Sequence, residues 1–306
     1  MSEEYLSKKR LLAGENASHN TRSYRSLLAH WAWRALHSPA RAKVAPLPNA
    51  GPGQVSISFG GHATVLLKFS ESSILCDPLL GDWRGSIRRE QRAGLASAEL
   101  DEVDLILLSN PDSDHLDLQT LERLPRSATV VLPPRTGHLV SKLGFAQLIE
   151  LSPNQTILHK GMEIHSAPVC GTSAKGNLPG QSYVICGNGP KVYFCGKSGY
   201  FEGFESIGER FEPDIALLPI SGYSPASLRQ RNMSPLDALY AFEDLGAKIM
   251  IPIRHGAFAL SYERLDEPMR WLDELIATGN LANYIVCLEP GQSRVFQNPK
   301  GLANAR

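Results

Sequence analysis

Three short polar stretches hold most of the residues able to do chemistry. Ser109-Asn-Pro-Asp-Ser-Asp-His115-Leu-Asp117 follows the apolar run Leu105–Leu108. Phe194-Cys-Gly-Lys-Ser-Gly-Tyr200 closes the run Val192–Cys195. Ile251-Pro-Ile-Arg-His-Gly-Ala-Phe258 ends the run Lys248–Ile253. Polar residues at strand ends are where sheet-based folds place their sites, and exits on one edge converge on one pocket. The chemistry on offer is of several kinds. Lys197 and Arg254 could bind a phosphate or carboxylate. His115, His62 and His255 could serve as acid or base. Asp112, Asp114 and Asp117, with the Asn110 oxygen, could hold a hard cation such as Mg²⁺ or Ca²⁺, although Asp117 reads better as the cap of the next helix. Cys170 and Cys195 border these loops. A nucleophilic thiol needs a base within reach, and a buried inert thiol is the simpler reading. His62 equally suits a backbone-fixing role in the turn Gly60-Gly-His-Ala-Thr64, and Asp77-Pro78 suits a structural turn.

The elements that must position these residues fall into two β-rich halves. Strands are expected at Val55–Phe59, Thr64–Phe69, Ser73–Cys76, Leu105–Leu108 and Thr129–Leu132, with helices at Asp117–Leu124 and Thr136–Leu143. A second series runs through Thr156–Leu158, Met162–Ala167, Ser182–Cys186 and Val192–Cys195. It then alternates: strand Ile215–Leu218, helix Pro235–Leu245, strand Lys248–Ile253, helix Pro268–Ala277, strand Ile285–Leu288. Ser234 before Pro235 is an N-cap with a first-turn proline, and Gly246 suits a C-cap. Two sheets packed face to face with helices outside would satisfy this order.

Residues 1–54 read as an N-terminal helical extension and linker, and 55–306 as the main domain. Ser23–His37 has helical apolar spacing, and its Trp31 and Trp33 are expected to pack it onto that domain; Ala45–Gly53 is the Pro/Gly-rich linker. The 306 residues carry 31 basic and 31 acidic side chains. That balance argues against a nucleic-acid partner. Five scattered cysteines without a CxxC pair argue against a disulfide framework and fit a cytoplasmic protein. The opening MSEEYLSKKR lacks the apolar run of a secretory signal, and no stretch approaches a membrane span, which leaves peripheral membrane attachment as the only lipid contact to consider.

The series Gly60-Gly-His-Ala-Thr64, Asp77-Pro78, Ser109…Asp-His115-Leu-Asp117, Gly196…Gly-Tyr200, Met233-Ser-Pro235 and Gly256-Ala-Phe258 resembles the metallo-β-lactamase superfamily. The branch is that of N-acyl-phosphatidylethanolamine-hydrolysing phospholipase D and its bacterial relatives. The resemblance spans nearly the whole chain and implies an αββα four-layer sandwich. It also implies where metal ligands would stand, and there the sequence departs. In the family's Ser-His-x-His-x-Asp-His signature the leading histidines are Asn110 and Asp112, while Asp114 and His115 remain. Gly171, beside Cys170, takes the next histidine's place. Lys197 replaces the bridging aspartate, Arg254 the last histidine, and Asn232 the histidine before the Met-x-Pro motif.

A lysine and an arginine where a cation pair would sit oppose metal binding, and arginine has no lone pair to donate. The expectation is therefore a degenerate, pseudoenzyme-like member with no zinc cofactor or a substoichiometric one. It would bind an anionic ligand, phosphate or phospholipid-like, or a partner. One alternative is metal-independent chemistry by Lys197, Arg254 and nearby histidines. The other is a residual single-metal hydrolase, of phosphodiesterase or lactonase type, on Asp112, Asp114, His115 and His255. The sites to follow are thus Lys197, Arg254, His115, Asp114, His255 and His62, with Asn110, Asp112, Cys170, Gly171, Tyr200 and Asn232 around them.

Overall fold

The computed structural model describes residues 22–44, 47–174 and 178–297. The opening segment MSEEYLSKKR and part of the Ala45–Gly53 linker lie outside them. Two sheets form the body. The first contains β1 (Gln54–Gly61), β2 (Thr64–Lys68), β3 (Ser73–Cys76), β6 (Leu105–Leu107), β7 (Thr129–Leu132), β8 (Gln147–Glu150) and β15 (Ser293–Gln297), in the order β15-β1-β2-β3-β6-β7-β8. The second runs β14 (Ile249–Ile253), β13 (Ile215–Pro219), β12 (Val192–Phe194), β11 (Ser182–Cys186), β10 (Met162–Ala167), β9 (Thr156–His159). A short hairpin of β4 (Trp83–Arg84) and β5 (Ile87–Arg88) stands apart.

Strand periodicity explains the layers. Val55, Ile57, Phe59, Ile74, Cys76, Leu105 and Leu107 of the first sheet face Ile164, Phe194, Leu217 and Ile251 of the second, forming the inter-sheet core. The alternate residues Leu66, Leu75, Ile106 and Val130 turn outward under Leu116, Leu121, Leu124 and Val140. On the far side, Tyr193, Ala216 and Leu218 meet Phe204, Ala241 and Leu272 from the outer helices. The result is the αββα sandwich. Burying two apolar faces per strand is why Leu105–Leu108 and Ile215–Leu218 read as continuous apolar runs.

Six α-helices are described: α1 (Tyr24–Leu36), α2 (Ser97–Asp101), α3 (Leu118–Leu121), α4 (Gly203–Phe211), α5 (Pro235–Asp244) and α6 (Glu267–Gly279). Ser23 caps α1, Asp117 caps α3, and Ser234 caps α5, its own amide donating in return to the Asp237 carboxylate. In α1, Trp31 donates its indole N–H to the Ala259 carbonyl at 2.8 Å. The buried Arg34 binds the carbonyls of Arg89 and Glu90. Trp33 is half exposed and stacks on His37 of its own helix.

Two expected elements differ. Thr136–Leu143 forms two 3₁₀ turns, Gly137–Leu139 and Ser141–Leu143, because Val140 between them sits at φ −118° and Gly144 closes the segment in the left-handed region. Ile285–Leu288 makes a single bridge, Met250 to Ile285, and then leaves the sheet edge so that Val286 and Leu288 enter the inter-sheet core. Among the described residues, no helix is long and apolar enough to cross a membrane.

Candidate functional site

The parallel arrangement decides where the polar loops go. β3 and β6 run parallel in one sheet, and β12, β13 and β14 run parallel in the other. Their C-terminal ends therefore deliver Asp77, Ser109–His115, Lys197, Ser221 and Arg254 to one edge of the sandwich. The β1–β2 turn adds His62 to the same edge, through a bridge to His255 and an amide hydrogen bond from Arg254 to the His62 carbonyl at 2.5 Å. The backbone is strained there: His62, Asp77 and Arg254 all occupy the left-handed region, at φ 58°, 41° and 61°. Such conformations cost energy and persist only where surroundings enforce them.

Two glycines show how tightly this edge is packed, the first being Gly196. A Cβ at Gly196 would lie 2.0 Å from Ser109 Oγ and 3.2 Å from Asp77 Oδ2. The second is Gly171, at φ 104°. There a Cβ would fall 2.5 Å from Arg231 Cβ, so a histidine cannot replace it without moving the chain.

The cluster is built from charge pairs. Lys197 Nζ donates to Asp112 Oδ2 at 2.5 Å. The other Asp112 oxygen accepts from the Ser173 hydroxyl at 2.5 Å and the Ala174 amide at 3.0 Å. Arg254 Nη2 donates to Asp114 Oδ2 at 3.0 Å, and its Nη1 reaches Asn232 Oδ1 and the Ser221 carbonyl, both at 2.9 Å. Asp114 also meets His62 Nε2 at 3.3 Å and Arg84 Nη2 at 3.2 Å. Behind them, Asp77 accepts from His115 Nδ1 at 2.6 Å and from both the amide and hydroxyl of Ser109. Asp112, Asp114, Lys197, Arg254, His62, His115, Asn110 and Asn232 are all buried.

Burial and pairing set the protonation states. Burial alone would raise the Asp114 carboxyl, but His115, His62 and Arg254 outweigh it and hold it well below the ordinary 3.8. Asp112 is likewise held down, with burial overcome chiefly by Lys197. Burial lowers His62 to about 3, so it is neutral near pH 7. His115 is pulled down by burial yet ends above 6.5, because the Asp114 and Asp77 carboxylates favour its charged form. Lys197 is lowered by burial and by the neighbouring Arg254, against the pull of Asp114 and Asp112.

Most of the expected residues meet here, but not all. Asn110 accepts the Asp112 amide and so shapes the loop. Asp117 caps Thr120 and takes no part. The Cys170 amide donates to Ser198 Oγ and its thiol to the Gln230 carbonyl, beside the cluster. Cys195 is fully buried, and burial pushes its thiol up to about 12, which removes it as a nucleophile. Two expected members stand elsewhere. The Tyr200 hydroxyl is committed to Asp244 on α5 at 2.5 Å, and its ring lies near Phe204 and Tyr240. The His255 ring stacks on Phe59 and faces a separate cavity.

Sequence reasoning missed Arg84, which reaches Asp114 from the two-residue strand β4, and the pairing of Asp77 with His115. The only signal for the second was that both flank strand ends; nothing pointed to Arg84.

The family model for the Beta-lactamase superfamily domain matches residues 72–255, well over half of the chain. The chain belongs to that superfamily. A metal-dependent hydrolase of Methanopyrus kandleri is 28% identical over 246 residues, covering 78% of this chain and 98% of that one. The mitochondrial N-acyl-phosphatidylethanolamine-hydrolyzing phospholipase D of Saccharomyces cerevisiae is 29% identical over 245 residues, covering 73% of this chain and 52% of that protein. Among solved structures, a metallo hydrolase from Ignicoccus hospitalis superposes with a TM-score of 0.63 at 21% identity, over 80% of this chain and 99% of its own.

Relatives named for metal-dependent hydrolysis make the donor set the central question. Among the described residues, one group of three His, Cys, Asp or Glu donors lies close enough to share an ion: His62, Asp114 and His115, within 4.8 Å of one another. The Asp114 oxygens in that group are already approached by Arg254 and Arg84. The other positions at which the superfamily resemblance sets ligands hold Lys197, Arg254, Gly171, Asn110 and Asp112. Three of these, Lys197, Arg254 and Gly171, offer no donor to a cation.

Proposed function

We propose that this protein is a superfamily member that works without the zinc pair and without zinc-dependent hydrolysis, the place of the metal centre being taken by a sealed salt-bridge cluster. The observation that carries this reading is the double pairing of Lys197 with Asp112 and Arg254 with Asp114, all four side chains buried. Each cation stands where the superfamily resemblance expects a metal ligand and neutralises a carboxylate that would otherwise attract an ion. The residues do not fit a zinc pair: too few lone-pair donors converge, and two fixed positive charges oppose further cations. An anion entering the cluster would have to displace Asp112 or Asp114 from its partner, so the anionic-ligand expectation finds less support here than the sealed cluster does.

A second reading has its own observation. His115 Nε2 makes no hydrogen bond closer than a 3.5 Å approach to Asp114 Oδ2, and it belongs to the trio His62, Asp114, His115. A single ion there would require Arg254 to swing off Asp114. Both readings meet in one assay: hydrolysis of phosphodiester and lactone substrates by the purified protein, with and without equimolar zinc. The sealed cluster predicts no zinc-stimulated turnover. Zinc-stimulated turnover that disappears in His115→Ala would replace it with the single-ion reading.

A further inference from the structure

Among the described residues, Tyr24, Leu28, Trp33 and Leu36 are large apolar side chains left exposed on a single helix, α1. Scattered exposed apolar residues need no explanation, but a contiguous set does. Helical geometry makes this set contiguous. Tyr24, Leu28, Ala32 and Leu36 form one i, i+4 row, and Arg25, Ala29, Trp33 and the C-cap His37 form the row beside it. Every one of these residues is exposed, Tyr24 to 60% and Leu36 to 83%. The opposite face fixes the helix to the body. Leu27 is buried there, Trp31 donates to the Ala259 carbonyl, and Arg34 donates to the carbonyls of Arg89 and Glu90. The apolar rows are thereby held outward.

The β4–β5 hairpin extends the patch. Arg88 Nη1 donates to the Ala35 carbonyl at 3.0 Å, and its guanidinium lies 5.1 Å from the centre of the half-exposed Trp83 ring. A second exposed tryptophan thus stands beside the C-terminal end of α1.

Charge decides which partner fits. The sequence from Asn16 to Ser70 contains no aspartate or glutamate. Arg25 sits within the apolar rows, and Arg41 and Lys43 are exposed in the segment that follows. Glu90, which reaches α1, lies against its docked side, bound by His30 Nε2 at 2.7 Å and Arg34 Nε at 3.4 Å. A second copy pairing through this same face would bring only like charges together. A membrane surface with anionic lipid suits every feature: leucine side chains enter the acyl boundary, Trp and Tyr rings rest at headgroup level, and the basic groups meet phosphates.

We propose that the exposed face of α1, together with Trp83, docks this protein on the surface of a membrane that carries anionic phospholipid. None of these residues belongs to the salt-bridge cluster, so the test is independent of the function proposed for it.

Flotation of the full chain with vesicles of phosphatidylcholine alone, and of phosphatidylcholine with about a third phosphatidylglycerol, provides that test. Binding to the anionic vesicles is expected, with tryptophan emission moving to shorter wavelength and binding weakening as salt is raised. Trp33→Gln combined with Leu36→Gln should weaken binding about tenfold or more. Arg25→Gln should weaken it about fivefold, on the anionic vesicles only. All three positions are exposed, so the unfolding transition should not move. No binding to anionic vesicles, unchanged binding by the double variant, or equal binding to the two kinds of vesicle would each overturn the proposal. A dimer in sedimentation that the double variant converts to monomer would overturn it in favour of a second copy covering the face.

Discussion

Replacing Lys197 by methionine should destabilise the protein by about 3–5 kcal/mol, the cost of leaving a buried carboxylate without its counter-ion. The geometry sets the scale. Lys197 Nζ and Asp112 Oδ2 are 2.5 Å apart, with side-chain exposures of 9% and 4%, so solvent screening is slight. Unit charges about 4 Å apart attract by about 4 kcal/mol at an effective dielectric of 20. The Ser173 and Ala174 hydrogen bonds would hold part of the orphaned charge, which keeps the loss from growing further. Asp112→Asn in the Lys197→Met background removes that charge, and the double variant should regain about half of the loss or more. Urea unfolding of the four proteins at pH 7.5 closes the cycle and should give a coupling energy of about 2 kcal/mol or above. A Lys197→Met loss below about 1 kcal/mol, additive with Asp112→Asn, would refute the idea that this pair is sealed and mutually dependent.

Three further outcomes are expected. Gly196→Ala should cost about 2–4 kcal/mol in thermal or urea unfolding, since its Cβ would overlap Ser109 Oγ and the residue sits at φ 66°; a change within about 0.5 kcal/mol would show that the Ser109–Asp77 contact is easily moved. Burial lowers His255 to about 4, below the 6.5 of an unfolded histidine, so between those values the unfolded chain binds a proton that the folded one refuses and stability falls as pH falls. His255→Leu should remove up to about 3 kcal/mol of the difference in unfolding free energy between pH 7 and pH 4, and an unchanged pH slope would contradict this. Lys197→Asp alone should not confer zinc-dependent hydrolysis, because Gly171 and Arg254 still supply no donor; measurable zinc-dependent turnover in that variant would show the assignment of ligand positions to be wrong.

How much of this was legible in the sequence depends on how local the determinant is. The buried runs at Leu105–Leu108 and Ile215–Leu218 and the caps Asp117 and Ser234 are local, and they announced the layers and helix starts directly. The edge strands β8 and β15 carry polar and half-buried residues and gave no apolar signal. At the site, Lys197, Arg254, Asp112 and Asp114 could be grouped because their loops follow strand ends. The actual pairing, Lys197 with Asp112 and Arg254 with Asp114, needed the register of two sheets. Tyr200 and His255 lie one to three residues from cluster members but point elsewhere, since neighbouring residues in a tight turn face different directions. Arg84 and the closeness of Arg231 to Gly171 depend on contacts between distant segments, which a motif does not encode.

The most direct test of the central claim is the metal content of the protein, by elemental mass spectrometry, after purification without chelator or metal-affinity resin. The sealed salt-bridge cluster predicts zinc, iron and manganese far below one ion per chain. One or more ions per chain would contradict it and make His62, Asp114 and His115 the first ligands to test.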